Sequence, residues 1–316
     1  MIERRSFWTG AAALGLGGGP RLAAAEKTKT LRVGTQKGAP ILMAVRRQRG
    51  LEALLAPLGI EVQWTEFPFG PPILEAMRAG SVDIGLVGDT PPIFAQAAKS
   101  DLLYVAAVPS GASAILLPAG SPLQTLRDLK GKRIAFARGS SAHNLTIAAV
   151  EKAGLTFEDV RATGLAPADA AAAFEKGAID AWTIWDPFYA LYETRPGVRV
   201  LVESTGIAPQ NSFFIASRSY TETNPDVVSA VLADLSRAGV WARENPEDIA
   251  RLVTEATGMA YDATLRAIRR APMKVLPMAA EHIRSQQDIA DRFHRLGIVP
   301  ASISVADRVW TWKPSA

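Results

Sequence analysis

Asp83-Ile84-Gly85-Leu86-Val87-Gly88-Asp89-Thr90-Pro91-Pro92-Ile93-Phe94 is the stretch that decides the fold. The first six residues are a short, apolar run of the kind found in a strand buried on both faces. Asp89 and Thr90 carry the short oxygen-bearing side chains that cap helices, and Pro91 suits the first position of a helix. A buried strand handed directly to a helix start is the repeating unit of a parallel α/β sheet.

The same unit recurs on either side. Upstream, Leu31–Thr35 is a strand candidate, Gly38-Ala39-Pro40 marks a turn, and a helix runs through Met43, Val45 and Leu51 to Gly59. Ile60–Trp64 alternates as a strand does, and Gly70-Pro71-Pro72 opens a helix that Gly80 ends. Downstream, strands are expected at Ala114–Pro118 and Arg133–Ala137, then Gly139-Ser140-Ser141 leads into a helix from about His143 to Lys152. A helix over Ala168–Lys176, a strand over Ala178–Trp182, a helix opened by Asp186-Pro187 and a strand over Val198–Val202 follow. A strand near Ser212–Ala216 carries the chain back, and from Pro225 onward the pattern is helical, broken at Pro246, Gly258, Pro272 and Gly297. These elements make an α/β protein of two lobes with mixed, mostly parallel sheets, joined by two crossings that suit a hinge. The expected division is residues 26–110 with 213–316 for the first lobe and 111–212 for the second.

Residues 1–25 stand apart. Arg4-Arg5-Ser6-Phe7, an uncharged Ala/Gly/Leu-rich stretch from Trp8 to Gly19, and Ala23-Ala24-Ala25 form the basic, apolar and cleavage regions of an export signal. The arginine pair resembles a twin-arginine signal, and an ordinary secretory signal with a basic start fits the same residues. Export places the protein in the periplasm. The chain has no cysteine, so no disulfide and no lipid-accepting thiol is expected.

The 316 residues are ample for two lobes, with 48% hydrophobic and 21% charged residues arguing against disorder. The formal charge is +4, of which residues 1–25 carry +2. That balance, with basic residues scattered along the chain, gives no footprint for nucleic acid. Gly139-Ser140-Ser141-Ala142-His143 lacks the second glycine of a serine-hydrolase elbow. The three histidines, His143, His282 and His294, are not at metal-ligand spacing, and the last two read as solvated. No catalytic residue, cofactor or metal is expected.

Three strand ends become polar turns before a helix: Gln36–Pro40, Gly88–Pro92 and Gly139–His143. Ligands of open α/β sheets sit at such carboxyl ends. Helix starts offer unsatisfied N–H groups and a partial positive charge, which together hold anions. Taken one at a time, these residues are equally at home as plain caps and loops.

Glu66–Pro71, Gly88–Ala97, Gly139–Leu145 and Ile184-Trp185-Asp186-Pro187-Phe188 together resemble the aliphatic sulfonate-binding proteins of ABC importers, in order and spacing, from about Leu31 to Trp312. The resemblance implies a periplasmic binding protein type II-like fold that clamps its ligand between lobes. It also implies a monomer that delivers the ligand to an ABC permease and its ATPase, meeting the membrane only through that permease. Carried over by position, it makes Gln36, Asp89, Thr90, Ser140, Ser141 and His143 candidate headgroup contacts. Trp185 becomes a wall for the alkyl tail, and Asn144 and Asp186 are further candidate contacts. A sulfonate's three acceptor oxygens want N–H and O–H donors, so Asp89 and Asp186 are expected to turn away from it. A taurine, nitrate or sulfate-ester receptor on the same fold is the alternative, and an enzyme like the thiamine-pyrimidine synthases the more distant one.

Overall fold

The computed structural model describes residues 29–208 and 210–313; the proposed export signal lies outside the described residues. The chain begins with β1 (Lys29–Gln36), α1 (Pro40–Gln48), α2 (Gly50–Leu55), β2 (Ile60–Phe67), α3 (Gly70–Arg78), β3 (Ile84–Gly88), α4 (Thr90–Ala97) and β4 (Leu102–Pro109). It then crosses to β5 (Ser113–Leu117), β6 (Arg133–Phe136), α5 (Ser141–Lys152), β7 (Arg161–Gly164), α6 (Pro167–Glu175), β8 (Ala181–Trp185), α7 (Phe188–Tyr192) and β9 (Arg199–Glu203). It returns through β10 (Asn211–Ser217) and ends with α8 (Arg218–Thr223), α9 (Pro225–Glu244), α10 (Pro246–Thr257), α11 (Tyr261–Arg270) and α12 (Ala280–Arg295).

The strands form two sheets with one topology. The first runs β2-β1-β3-β10-β4 and the second β7-β6-β8-β5-β9. In the first, β1 pairs parallel with β2 and β3, whereas β10 pairs antiparallel with both β3 and β4. In the second, β6 pairs parallel with β7 and β8, whereas β5 pairs antiparallel with both β8 and β9. Each sheet is therefore mostly parallel, with one reversed strand in fourth place. That reversed strand is where the chain enters: β5 after the first crossing, β10 after the second.

Each sheet is covered on both faces. Leu31, Val33, Leu42, Leu51, Leu232 and Leu235 fill one face of the first sheet, while Ile73, Tyr104, Phe213 and Val305 fill the other. In the second sheet Ile115, Leu129, Phe136 and Val150 lie on one side and Phe174, Trp182, Tyr189 and Tyr192 on the other. A further cluster belongs to both lobes: Ile93 of α4, Ile147 of α5 and Ile289 and Phe293 of α12 are buried together. Burying each such side chain is worth about 1.5–3 kcal/mol. Among the described residues no helix is long and apolar enough to cross a membrane.

Several strand boundaries differ from the sequence reading, and β4 and β7 have no counterpart in it. The strand expected over Ala178–Trp182 begins at Ala181, because Asp180 is drawn into a bridge with Arg133, its carboxylate accepting from the Arg133 backbone and guanidinium at 2.7 and 2.8 Å. The shift puts Trp185 on the last residue of β8.

Candidate functional site

A cleft of about 690 Å³ opens between the lobes. Gln36, Gly88, Ser140 and Trp185 line it from the carboxyl ends of β1, β3, β6 and β8. Gly38 and Gly139 have φ of +79° and +68°, a conformation that favours glycine, and each turns a strand into the start of a helix on the cleft wall. The caps Ala39 of α1, Ser140 of α5, Ala166 of α6 and Ala260 of α11 border the cleft, and none makes a side-chain capping hydrogen bond. The first amides of α5 and α11 thus lack the usual local acceptor, while α1 and α6 begin with proline, which has no N–H.

The polar side of the cleft is built largely from the crossings. Ser110 and Ser212, on the two crossing segments, share a hydrogen bond of 3.0 Å. Ser113 Oγ donates to Gln210 Oε1 at 2.7 Å, and Gln210 Nε2 donates to the Ser141 carbonyl at 2.9 Å. All five line the cleft. The apolar part of the lining is Trp185, which pairs in register with Ser113, with Phe188 and Leu191 of the second lobe and Val253, Met259 and Ile268 of the first. Lys37 and Asp186 are the charged residues of the lining; Lys37 is exposed. Both Asp186 oxygens are engaged, Oδ1 by Arg270 Nη2 at 2.6 Å and the Ala190 amide at 3.1 Å, Oδ2 by Arg270 Nε at 2.7 Å. The cleft therefore combines neutral donors with apolar side chains, and among the described residues no free acid lines it.

The sequence candidates divide. Gln36, Ser140, Ser141, Trp185 and Asp186 line the cleft. The Gln36 amide donates to the Leu86 carbonyl at 3.0 Å and the Ser140 hydroxyl to the Ala137 carbonyl at 2.7 Å, so part of their donor capacity is already used. Asp89, Thr90, His143 and Asn144 do not line it. Asp89 is 1% exposed and Thr90 fully buried, and the Thr90 hydroxyl donates to Asp89 Oδ1 at 2.7 Å. Burial pushes the Asp89 carboxyl above its usual range; Thr90, Ser141 and Asn144 only partly offset this. Helix α12 covers the spot from behind, with Gln286 Nε2 donating to the Asp89 carbonyl.

The His143 ring sits inside the two-lobe cluster, stacked on Phe136 at 4.7 Å between centroids and edge-on to Phe293 at 5.2 Å. Burial, then the charge of Arg138, pushes its imidazole down to about 4. Asn144 is buried and accepts from Arg292 Nη1 of α12 at 2.9 Å. His282 is buried rather than solvated, its Nδ1 accepting from the Ala279 amide at 3.1 Å. Among the described residues no three His, Asp or Glu side chains gather as a metal site would require. Sequence reasoning missed Ser110, Ser113, Gln210 and Ser212, which carry no local motif.

Two α/β lobes with reversed entry strands, a double crossing and a cleft at the strand ends define the periplasmic-binding-protein fold. The chain belongs to the NMT1/THI5-like family, whose model matches residues 57–249. It is 40% identical to a putative aliphatic sulfonates-binding protein of Escherichia coli K12 over 292 residues, covering 92% of this chain and 91% of that one. The alkanesulfonate-binding protein SsuA of Xanthomonas axonopodis pv. citri, solved bound to MOPS, superposes with a TM-score of 0.83 at 39% identity, covering 91% of this chain and 99% of that one. The taurine-binding periplasmic protein of Escherichia coli K12 is 28% identical over 208 residues, 61% of this chain and 63% of that one.

Proposed function

We propose that this chain is the solute-binding component of an ABC importer and captures aliphatic sulfonates in the periplasm. The observation that carries this reading is the chemistry of the cleft, neutral hydroxyl and amide donors together with apolar side chains, in a chain so similar to sulfonate-binding relatives. A sulfonate is permanently anionic, and uncapped helix starts with hydroxyls satisfy its oxygens without a buried cation. Gln36 and Ser141, with the amides after Ser140 and the hydroxyls of the crossings, serve the headgroup. Trp185, Phe188 and Leu191 take the tail. Asp89, Thr90, His143 and Asn144 act from behind, fixing α4 and α5 rather than touching ligand.

The protein works by capture and release, with no covalent step, as a monomer exported by its first 25 residues. The closed form presents both lobes to the permease and its ATPase. A taurine receptor would need an acid for the ammonium. Asp186, which has both oxygens on Arg270, does not offer one.

Ligands that bind only the folded state raise the melting temperature in step with RT ln(1 + [L]/Kd). A thermal-shift series with methanesulfonate, butanesulfonate, octanesulfonate, taurine, sulfate and nitrate is expected to place the alkanesulfonates first. Nitrate or taurine at the head of the series would overturn the assignment.

A further inference from the structure

We infer that Arg270, which does not line the cleft, is the positioning residue that shapes the apolar end of the site and so selects for tail length. The inference rests on the sulfonate reading above. Arg270 is the last residue of α11, on the first lobe, and its guanidinium reaches across to the second. It grips Asp186 through two hydrogen bonds, 2.7 Å from Nε and 2.6 Å from Nη2. Its third nitrogen, Nη1, lies 3.2 Å from Glu193 Oε2, and its Cζ stands 4.2 Å over the Tyr189 ring. A two-pronged arginine–carboxylate contact fixes orientation as well as distance, which a lysine does not.

The contacts bracket one element. Asp186 precedes α7 and Glu193 follows it, and the Ala190 amide ties α7 back to Asp186 Oδ1 at 3.1 Å. With only five residues, α7 cannot hold its own shape. Yet it supplies Phe188 and Leu191 to the cleft wall, and Trp185 is the residue directly before Asp186. The α11 side of the same wall is Ala267 and Ile268. Arg270 thus pins one side of the tail pocket to the other.

The charges around it agree. Glu193 and Glu203 of the second lobe lie about Tyr189, whose hydroxyl donates to Glu203 at 2.6 Å. The cations that meet Asp186 and Glu193 come from the first lobe: Arg270, and Arg266 at 3.6 Å from Glu193. Burial alone would lower the Arg270 pKa, but Asp186 and Glu193 raise it, so the guanidinium remains charged. The hydroxyl donors have their own ties, Ser110 to Ser212 and Ser113 to Gln210, and Arg270 takes part in neither.

Calorimetric titration of the full-length mature protein with methanesulfonate and with octanesulfonate tests the assignment. Arg270→Met is expected to weaken octanesulfonate binding about thirtyfold and methanesulfonate less than threefold. Arg270→Lys keeps the charge without the fork, and should show the same tail-selective loss at about a third of the size; it serves also if the methionine variant does not fold. A purely structural role would weaken both ligands alike, and equal loss, or no loss, in the variants overturns the role of Arg270 alone. A wild-type protein that binds neither sulfonate overturns the sulfonate reading, and this inference with it.

Discussion

Gly88, at the end of β3 in the first lobe, lies directly against Ser141, which opens α5 in the second: a methyl group on Gly88 would stand 2.2 Å from Ser141 Oγ. The lobes meet here with no space for a side chain. Both residues border the cleft, so the contact ties the approach of the lobes to the placement of a hydroxyl donor.

Gly88→Ala forces the Ser141 hydroxyl out of its rotamer. Affinity for butanesulfonate should fall about tenfold, or about 1.4 kcal/mol, while the unliganded melting temperature changes little. Ser141→Ala should also weaken binding. The double variant, measured by the same titration, should be no worse than Ser141→Ala alone, since the clash and the donor are one hydroxyl. Fully additive losses would separate the two residues.

His143 belongs to the core, so His143→Ala is expected to cost stability first, about 3 kcal/mol from the emptied space between the rings of Phe94, Phe136, Phe157 and Phe293. The pH dependence follows from its pKa near 4. Between that value and the ordinary histidine value of about 6.5, the unfolded chain binds a proton that the native protein refuses. This residue's contribution to stability is thus intact at neutral pH and falls as pH drops through that window, by at most about 1.4 kcal/mol per pH unit. Denaturation curves of His143→Phe, which keeps an aromatic ring, should lose that slope; an unchanged slope places the titrating group elsewhere.

Asp89 has the opposite sign. Its carboxyl is held above its usual range by burial, which hydrogen bonds from Thr90, Ser141 and Asn144 only partly offset. A native pKa above the unfolded one favours the folded state at low pH, and this advantage is lost as pH rises through the native value. Asp89→Asn is therefore expected to raise the melting temperature at pH 7 to 8 by a few degrees, with the gain shrinking toward pH 4. A variant less stable at neutral pH would show that the charge itself is needed, as it would be if a cation approached it in the open form.

Much of the architecture was legible because strand, glycine turn and helix start are adjacent in sequence. Gln36, Ser140 and Ser141 reached the cleft wall through that logic, and the breaks at Pro246 and Gly258 fall at the ends of α9 and α10. Strand β4 passed unread because Leu102–Val108 is buried throughout and so carries no alternation. Asp89, Thr90 and His143 had the right local chemistry and the wrong depth. What buries them is α12, nearly two hundred residues away for Gln286 and Asp89, and no local pattern encodes that contact. Ser110, Ser113, Gln210 and Ser212 were invisible for the complementary reason: the site they form exists only where two separate crossings run side by side.

The aromatic cluster shared by α4, α5 and α12 fastens the two lobes like the rivet of a pair of tongs. Pulling it apart would wet several rings at once, so the lobes part there only at a cost in buried apolar surface. Grip and joint then become separately adjustable. Changes on the walls are expected to alter which ligand is held, whereas changes at Phe293 or Phe94 are expected to alter how long the tongs stay shut on any ligand.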